Sequence, residues 1–425
     1  MTLETLLQYN SFGMTPLIFS FLTFYEMSVV SQTNSDAYHL FYKEIIPQIR
    51  RFDCLNSIKR NHIPILSEFI GLRHLEIESI PFYHIDQLVN ALSNITQLEI
   101  FKYSHNFIDH YSALQLKSLL DLWPNTLQTL ELSHNCLSKR IVVLTPIFPK
   151  LRRLQYLNVS SNGIHKNDGI QLAKSLYGLS ELKEINIENN QLGRGGIVFA
   201  QLIGILPQLE VMKLSSNQLG PDGLRAFAKI ISSLTIETLT PFHTLELSWN
   251  KIDTESLSHL VQSCQKFSKL RCLDLSWNCL DGDNISICQS SFSYLKHLTT
   301  MNLSWNFIGM EGAFSLSKIL PSLTQLQVLN LSTCKIKNEG FCSLSHCFPC
   351  LKHLRQMDLS WNEIVFRKKE MKVLIDSIIE LTQLEMIDLS KNRFQRDMIP
   401  LLKTILSRSS SFHTLNLFDI HTELS

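Results

Sequence analysis

Four tryptophans recur at one place in a repeating hexapeptide: Leu245–Asn250, Leu273–Asn278, Met301–Asn306 and Met357–Asn362 each read Leu/Met-x-Leu-Ser-Trp-Asn. Three residues before the Trp position stand Glu246, Asp274, Asn302 and Asp358, and Asp388 stands in the same relation to Lys391. An electron-rich ring face beside carboxylates is suited to holding a cation, because the ring quadrupole and the carboxylate charge attract the same group. Other reactive residue types lack the company that chemistry needs. His105 and His134 share the Trp position without a third metal ligand in view. Cys347-Phe-Pro-Cys350, with His346 and His353 nearby, has a metal-like spacing. Shifted by one 28-residue period, however, Cys347 falls on Ile319, Cys342 on Phe314 and Cys288 on Leu316, which are core slots that a free thiol fills well. Gly193-Arg-Gly-Gly196 lacks the preceding strand, the Lys and the Ser/Thr of a phosphate loop. No catalytic, cofactor or metal ligand is assigned.

The elements that must carry the tryptophans follow from periodicity. The Asn position recurs at Asn106, Asn135, Asn162, Asn190, Asn217, Asn250, Asn278, Asn306, Cys334, Asn362 and Asn392, with weaker copies at Leu72–Ile77 and Phe412–Leu417. Before each Asn the apolar residues alternate, so a strand such as Leu270–Leu275 buries Leu273 and Leu275 and turns Cys272 and Asp274 outward. After it the spacing changes to three or four, as in Gly223–Ile231 and Gly312–Leu320, predicting a helix. Gly196, Gly223, Gly312 and Gly340 each stand six residues past the Asn or Cys, at the helix entrance.

This pattern fits the leucine-rich repeat template and resembles its ribonuclease-inhibitor type, whose period near 28 includes a helix. The resemblance implies an α/β solenoid, a curved horseshoe with parallel strands on the concave face and helices on the convex face. About thirteen repeats over residues 71–425 are expected, with residues 1–70 as an N-terminal cap. The Asn amide suits the inner turn because it both donates to and accepts from backbone groups that stacking leaves unpaired. Between Asn217 and Asn250 the spacing widens to 33, and the surplus around Thr235–Pro241 predicts a longer loop.

A formal net charge of +1 argues against nonspecific nucleic-acid or lipid binding. The basic run Arg367–Lys372 reads as a solvated helix start. Leu17–Phe24 follows Glu4 with no Lys or Arg before it, so a buried cap helix is expected there rather than an export signal or a membrane span. Ten cysteines, of which Cys288, Cys342 and Cys347 fall largely in core slots, point to a reduced, cytoplasmic environment. Asn158, Asn302 and Asn330 head glycosylation-like triplets that arise from the strand consensus. Phe41–Ile49 faintly resembles the opening helix of an F-box, without that motif's Leu-Pro start or later Trp.

These readings predict a noncatalytic recognition scaffold, an adaptor or inhibitor, with no enzyme activity and no cofactor. Its partner is a protein with an exposed basic surface, met by Trp249, Trp277, Trp305, Trp361, Glu246, Asp274, Asp358 and Asp388. Alternatively the tryptophans stack as a structural ladder. Alternative functions are GTPase activation or other enzyme regulation, as in some ribonuclease-inhibitor-type proteins, or an F-box-like ubiquitin-ligase adaptor. The chain also resembles leucine-rich repeat effectors of intracellular bacteria, which would place it in a host cytosol.

Overall fold

A computed structural model describes residues 51–54, 66–67, 70–78, 85–234, 241–263, 266, 269–282, 285–292, 294–395, 400, 412–417 and 421–423. The expected helix at Leu17–Phe24, the F-box-like Phe41–Ile49 and all of the widened loop but Pro241 lie outside these residues. Parallel strands alternate with helical segments, an α/β repeat fold as the periodicity predicted. The chain divides into two compact units, Met1–Ile164 with Lys174–Asn186 and His165–Ala173 with Ile187–Ser425.

In the first unit, strands β1 (Arg51–Cys54), β2 (His74–Glu78), β3 (Ile100–Ser104), β4 (Thr129–Glu131), β5 (Tyr156–Asn158) and β6 (Glu184–Asn186) pair in chain order, each parallel to the next. The ladder thus includes a strand ahead of Leu72. Leu75, Phe101, Leu130, Leu157 and Ile185 fill one buried column between the strands and the helical side. Trp123, the one tryptophan outside the repeated hexapeptide, is fully buried against Phe101, and its indole N–H donates to the Ile95 carbonyl.

The second unit continues the scheme with β7 (Val211–Lys213), β8 (Thr244–Glu246), β9 (Cys272–Asp274), β10 (Thr300–Asn302), β11 (Val328–Asn330) and β12 (Gln356–Asp358). A short strand, β13 (Val365–Phe366), precedes β14 (Met386–Asp388), β15 (Arg393–Gln395), β16 (Thr414–Asn416) and β17 (His421–Glu423). Register is strict: Leu245 pairs with Leu273, Leu273 with Met301, Met301 with Leu329, and Leu329 with Met357. Strands β13, β15 and β17 form a second small parallel sheet, where Phe366 stacks on Phe394 at 4.5 Å and meets Phe341 edge-on.

The helices Gly220–Ser233 and Gly309–Ile319 begin three residues before the glycines singled out in the sequence, which therefore lie in their first turns. At Gly312 and Gly340 the reason for glycine is the close approach of the preceding repeat. A Cβ on Gly312 would sit 2.7 Å from the Gly282 Cα, and one on Gly340 2.9 Å from the Ala313 Cβ. Arg367 is the N-cap of the helix Lys368–Ile378, and its backbone N–H donates to Glu370, so the basic run does open a helix. Cys288 and Cys347 are buried, as the core-slot reading required, but Cys342 is only half-buried and its counterpart Phe314 is exposed, so that slot is not core; Cys350 is exposed. Among the described residues no helix is long and apolar enough to cross a membrane.

The conserved geometry of each turn rests on the Asn amide. Asn250 donates through Nδ2 to the carbonyls of Leu247 and Ser248 in its own repeat and of Leu214 in the preceding one. Its Oδ1 accepts from the backbone N–H groups of Asn217 and Leu219. Asn135, Asn278 and Asn362 repeat the arrangement. Each such residue satisfies buried backbone groups on two successive repeats at once. Asn250→Ala, which leaves several of these groups unpaired, is expected to destabilise the chain by about 3 kcal/mol or more. Chemical denaturation checks this, and a loss below about 1 kcal/mol would remove the amide from its central place.

Candidate functional site

The residue before each Asn adopts a left-handed backbone. His105, His134, Ser161, Asn189, Ser216, Trp249, Trp277, Trp305, Thr333, Trp361 and Lys391 all have φ between 52° and 58°. Such a conformation is uncommon outside glycine and disfavoured for bulky or β-branched side chains, at a cost of about 1–2 kcal/mol. The ladder enforces it: the N–H groups of Trp249, Trp277 and Trp305 each donate at 2.9 Å to the serine carbonyl of the following repeat, and that of Trp361 does so at 3.0 Å. No glycine marks the position, so the sequence carries no signal for this strain.

The left-handed turn leaves the tryptophans partly in solvent, with exposures of 51% for Trp249, 39% for Trp277, 44% for Trp305 and 54% for Trp361. Three of them stack. Ring centroids lie 4.5 Å apart between Trp249 and Trp277 and 3.8 Å between Trp277 and Trp305, with planes within 19° and 10° of parallel. Both faces of Trp277 are therefore covered by indole. Trp361 stands apart because Thr333 occupies the rung between it and Trp305, and the Lys391 ammonium lies 5.0 Å over its ring. Trp277 thus has indole on both faces, whereas Trp361 has the Lys391 ammonium over its ring. In the first unit His105 and His134 stack in the equivalent place at 4.4 Å. Among the described residues no group of three or more His, Cys, Asp or Glu is arranged to hold a metal.

The predicted carboxylates lie on the strand face, and part of their hydrogen-bonding capacity serves the scaffold. Asp274 accepts from the Ser276 backbone N–H at 2.8 Å and from the Asn302 amide at 3.1 Å. Asp358 accepts from the Ser360 N–H, and Asp388 from the Ser390 N–H and the Asn416 amide. Sequence reasoning missed this local use, although the recurring Asp-x-Ser spacing is its signal. The same spacing employs Asn302 and Asn330, whose Oδ1 atoms accept from Ser304 and Ser332. Asp358 and Asp388 stand opposite one another on β12 and β14. Burial, with a further contribution from Asp388, holds the Asp358 carboxyl above the usual carboxylate range. Neither residue forms a salt bridge among the described residues.

The aromatic stripe breaks where the Asn is also lost. Cys334 keeps part of the Asn role as a donor, its Sγ reaching the carbonyls of Leu303 at 3.2 Å and Ser332 at 3.4 Å. Burial pushes its thiol up to about 12, so it stays protonated. The Oγ1 of the adjoining Thr333 is buried without a hydrogen-bond partner among the described residues.

Residues 124–143, 208–228, 238–261, 268–283 and 294–317 match the family model described as Leucine Rich repeat. Among solved structures, an internalin of Listeria monocytogenes is 16% identical, with 92% of each chain covered and a TM-score of 0.49. A leucine-rich repeat protein of Leptospira interrogans is 19% identical over 88% of this chain and 83% of that one, with a TM-score of 0.47. A plant peptide hormone receptor solved in complex with RGF2 is 17% identical over 89% of this chain and 60% of the receptor, with a TM-score of 0.41.

Two expectations follow. Trp277→Ala removes two ring contacts worth about 0.5–1.5 kcal/mol each, while Trp361→Ala removes one exposed cation–π contact of about 0.5–1 kcal/mol. Trp277→Ala is therefore the more destabilising, and denaturation curves showing equal losses would deny the stack a structural role. A folded-state carboxyl titrating above its unfolded value favours the native state only when protonated, so ionised Asp358 costs stability at neutral pH. Asp358→Asn, which keeps the acceptor for Ser360, is expected to gain about 0.2–1 kcal/mol at neutral pH by removing one of two like charges across the strands. That gain should shrink toward about pH 4 as the native carboxyl protonates, and thermal melts showing a pH-independent change would contradict the assignment.

Proposed function

From a chain built of leucine-rich repeats, we propose a noncatalytic scaffold that recognises a partner protein through the strand face and tryptophan edge of its second unit. Such repeats typically serve protein–protein interaction. The carrying observation is the placement of four large aromatic residues, each roughly half exposed, at a backbone position that disfavours bulk. Stacking accounts for Trp277, with indole on both faces, but leaves the outer rings and Trp361 without a structural need of equal size. Exposed aromatic area of this kind is what protein interfaces concentrate.

Glu246, Asp274, Asp358 and Asp388 give the neighbouring face its negative character, which supports a partner with a basic surface. The helical second half of the repeats supports placement in the ribonuclease-inhibitor type. The cysteines Cys136, Cys272, Cys279, Cys288, Cys334, Cys342, Cys347 and Cys350 are unpaired, which supports a reducing, cytoplasmic setting.

Affinity capture from cell lysate, run with the native chain and with the combined variant Glu246→Gln, Asp274→Asn, Asp358→Asn and Asp388→Asn, tests the charge reading. The native chain is expected to retain basic proteins in a salt-sensitive manner, and the folded variant to lose about tenfold of that capture. Undiminished capture by a folded variant would sink it.

A further inference from the structure

We propose that the gap in the aromatic stripe between Trp305 and Trp361, opened by Thr333, is a slot for the guanidinium of one arginine side chain of the partner. This rests on the preceding reading of a basic partner and narrows it to one side-chain type and one place. The strands β10, β11 and β12 are in register, so Trp305, Thr333 and Trp361 occupy successive rungs at the same offset from their strands. One face of Trp305 lies against Trp277. No ring stands on the Thr333 rung to cover the other.

The spacing suits a flat group. Centroid steps along the intact stack are 4.5 and 3.8 Å. Two rungs without the middle ring therefore open about 8–9 Å between Trp305 and Trp361, close to the sum of two stacking contacts of about 3.5–4.0 Å each. A guanidinium is planar and fits between two ring faces, whereas the tetrahedral ammonium of lysine cannot stack on both.

Chemistry selects a cation over a neutral ring. The Lys391 ammonium over Trp361 shows that this indole accepts positive charge from the protein itself. Lys335, two residues beyond Thr333, does not supply the missing charge, because its Nζ lies 5.5 Å over Phe307. Asp358, three residues before Trp361, and the opposing Asp388 form no salt bridge among the described residues.

The test uses the full chain with 15N-labelled tryptophan, titrated with the capped tripeptides Gly-Arg-Gly, Gly-Lys-Gly and Gly-Phe-Gly. The arginine peptide is expected to shift the indole N–H resonances of Trp305 and Trp361 saturably at millimolar concentration, while Trp249 shifts little. The lysine peptide should bind at least about fivefold more weakly. Thr333→Trp places in the gap the residue that four other repeats carry and should abolish the arginine effect without lowering Tm. Equal binding of the lysine or phenylalanine peptide, or an arginine effect that survives in folded Thr333→Trp, would overturn the slot. Lysate capture separates this from the broader reading: capture retained by Thr333→Trp but lost on amidating the carboxylates removes the slot alone, and capture indifferent to both removes the basic partner as well.

Discussion

Everything in this chain depends on one side-chain amide per repeat that bonds in two directions. A short strand of three residues pairs few backbone groups, and the turn that follows it would bury donors and acceptors with nothing to meet. Asn250 answers five of them, divided between its own repeat and the one before. The same bonds fix the direction in which the chain leaves the strand. The left-handed φ of the preceding residue is thus imposed by the turn, whatever side chain stands there. Helix contacts follow suit, since a constant rise per repeat brings Gly282 and Gly312 to a separation that no side chain fits.

That dependence explains which parts were legible in the sequence. Leucine spacing and Asn recurrence encode the core and the turn directly, because burial and amide bonding both demand particular residue types. The strands, the helical halves and the buried Cys288 and Cys347 were readable for that reason. The left-handed position was not, because histidine, serine, tryptophan, threonine and lysine all occupy it and none announces the conformation. Nor did the sequence apportion the tryptophans. Hexapeptides that differ only in their first residue, Leu273 or Met357, surround Trp277 and Trp361, yet one is enclosed by neighbouring rings and the other is not, a difference set by the residues one period away.

The carboxylates teach a related point. Asp274 and Asn302 occupy equivalent sites and perform the same local task of accepting from a serine N–H two residues on. What distinguishes them is the charge left over after that task is done. The acid remains where an amide serves the fold as well.

Cys334 shows how a single exchange alters a linear array. Its thiol makes one bond to the preceding repeat, where Asn306 makes two such side-chain bonds and Asn362 three. A stack whose units touch only their neighbours can part only at a junction, and the junction with the fewest bonds is where thermal opening is cheapest. Amide protons of Asn306 and Ile308, which stand where the equivalent groups of other turns meet an Asn oxygen, are accordingly expected to exchange with solvent sooner than those of Cys334 and Ile336, which Asn362 receives. Between Asn306 and Asn362 the least-bonded junction thus lies at the rung that interrupts the aromatic stripe.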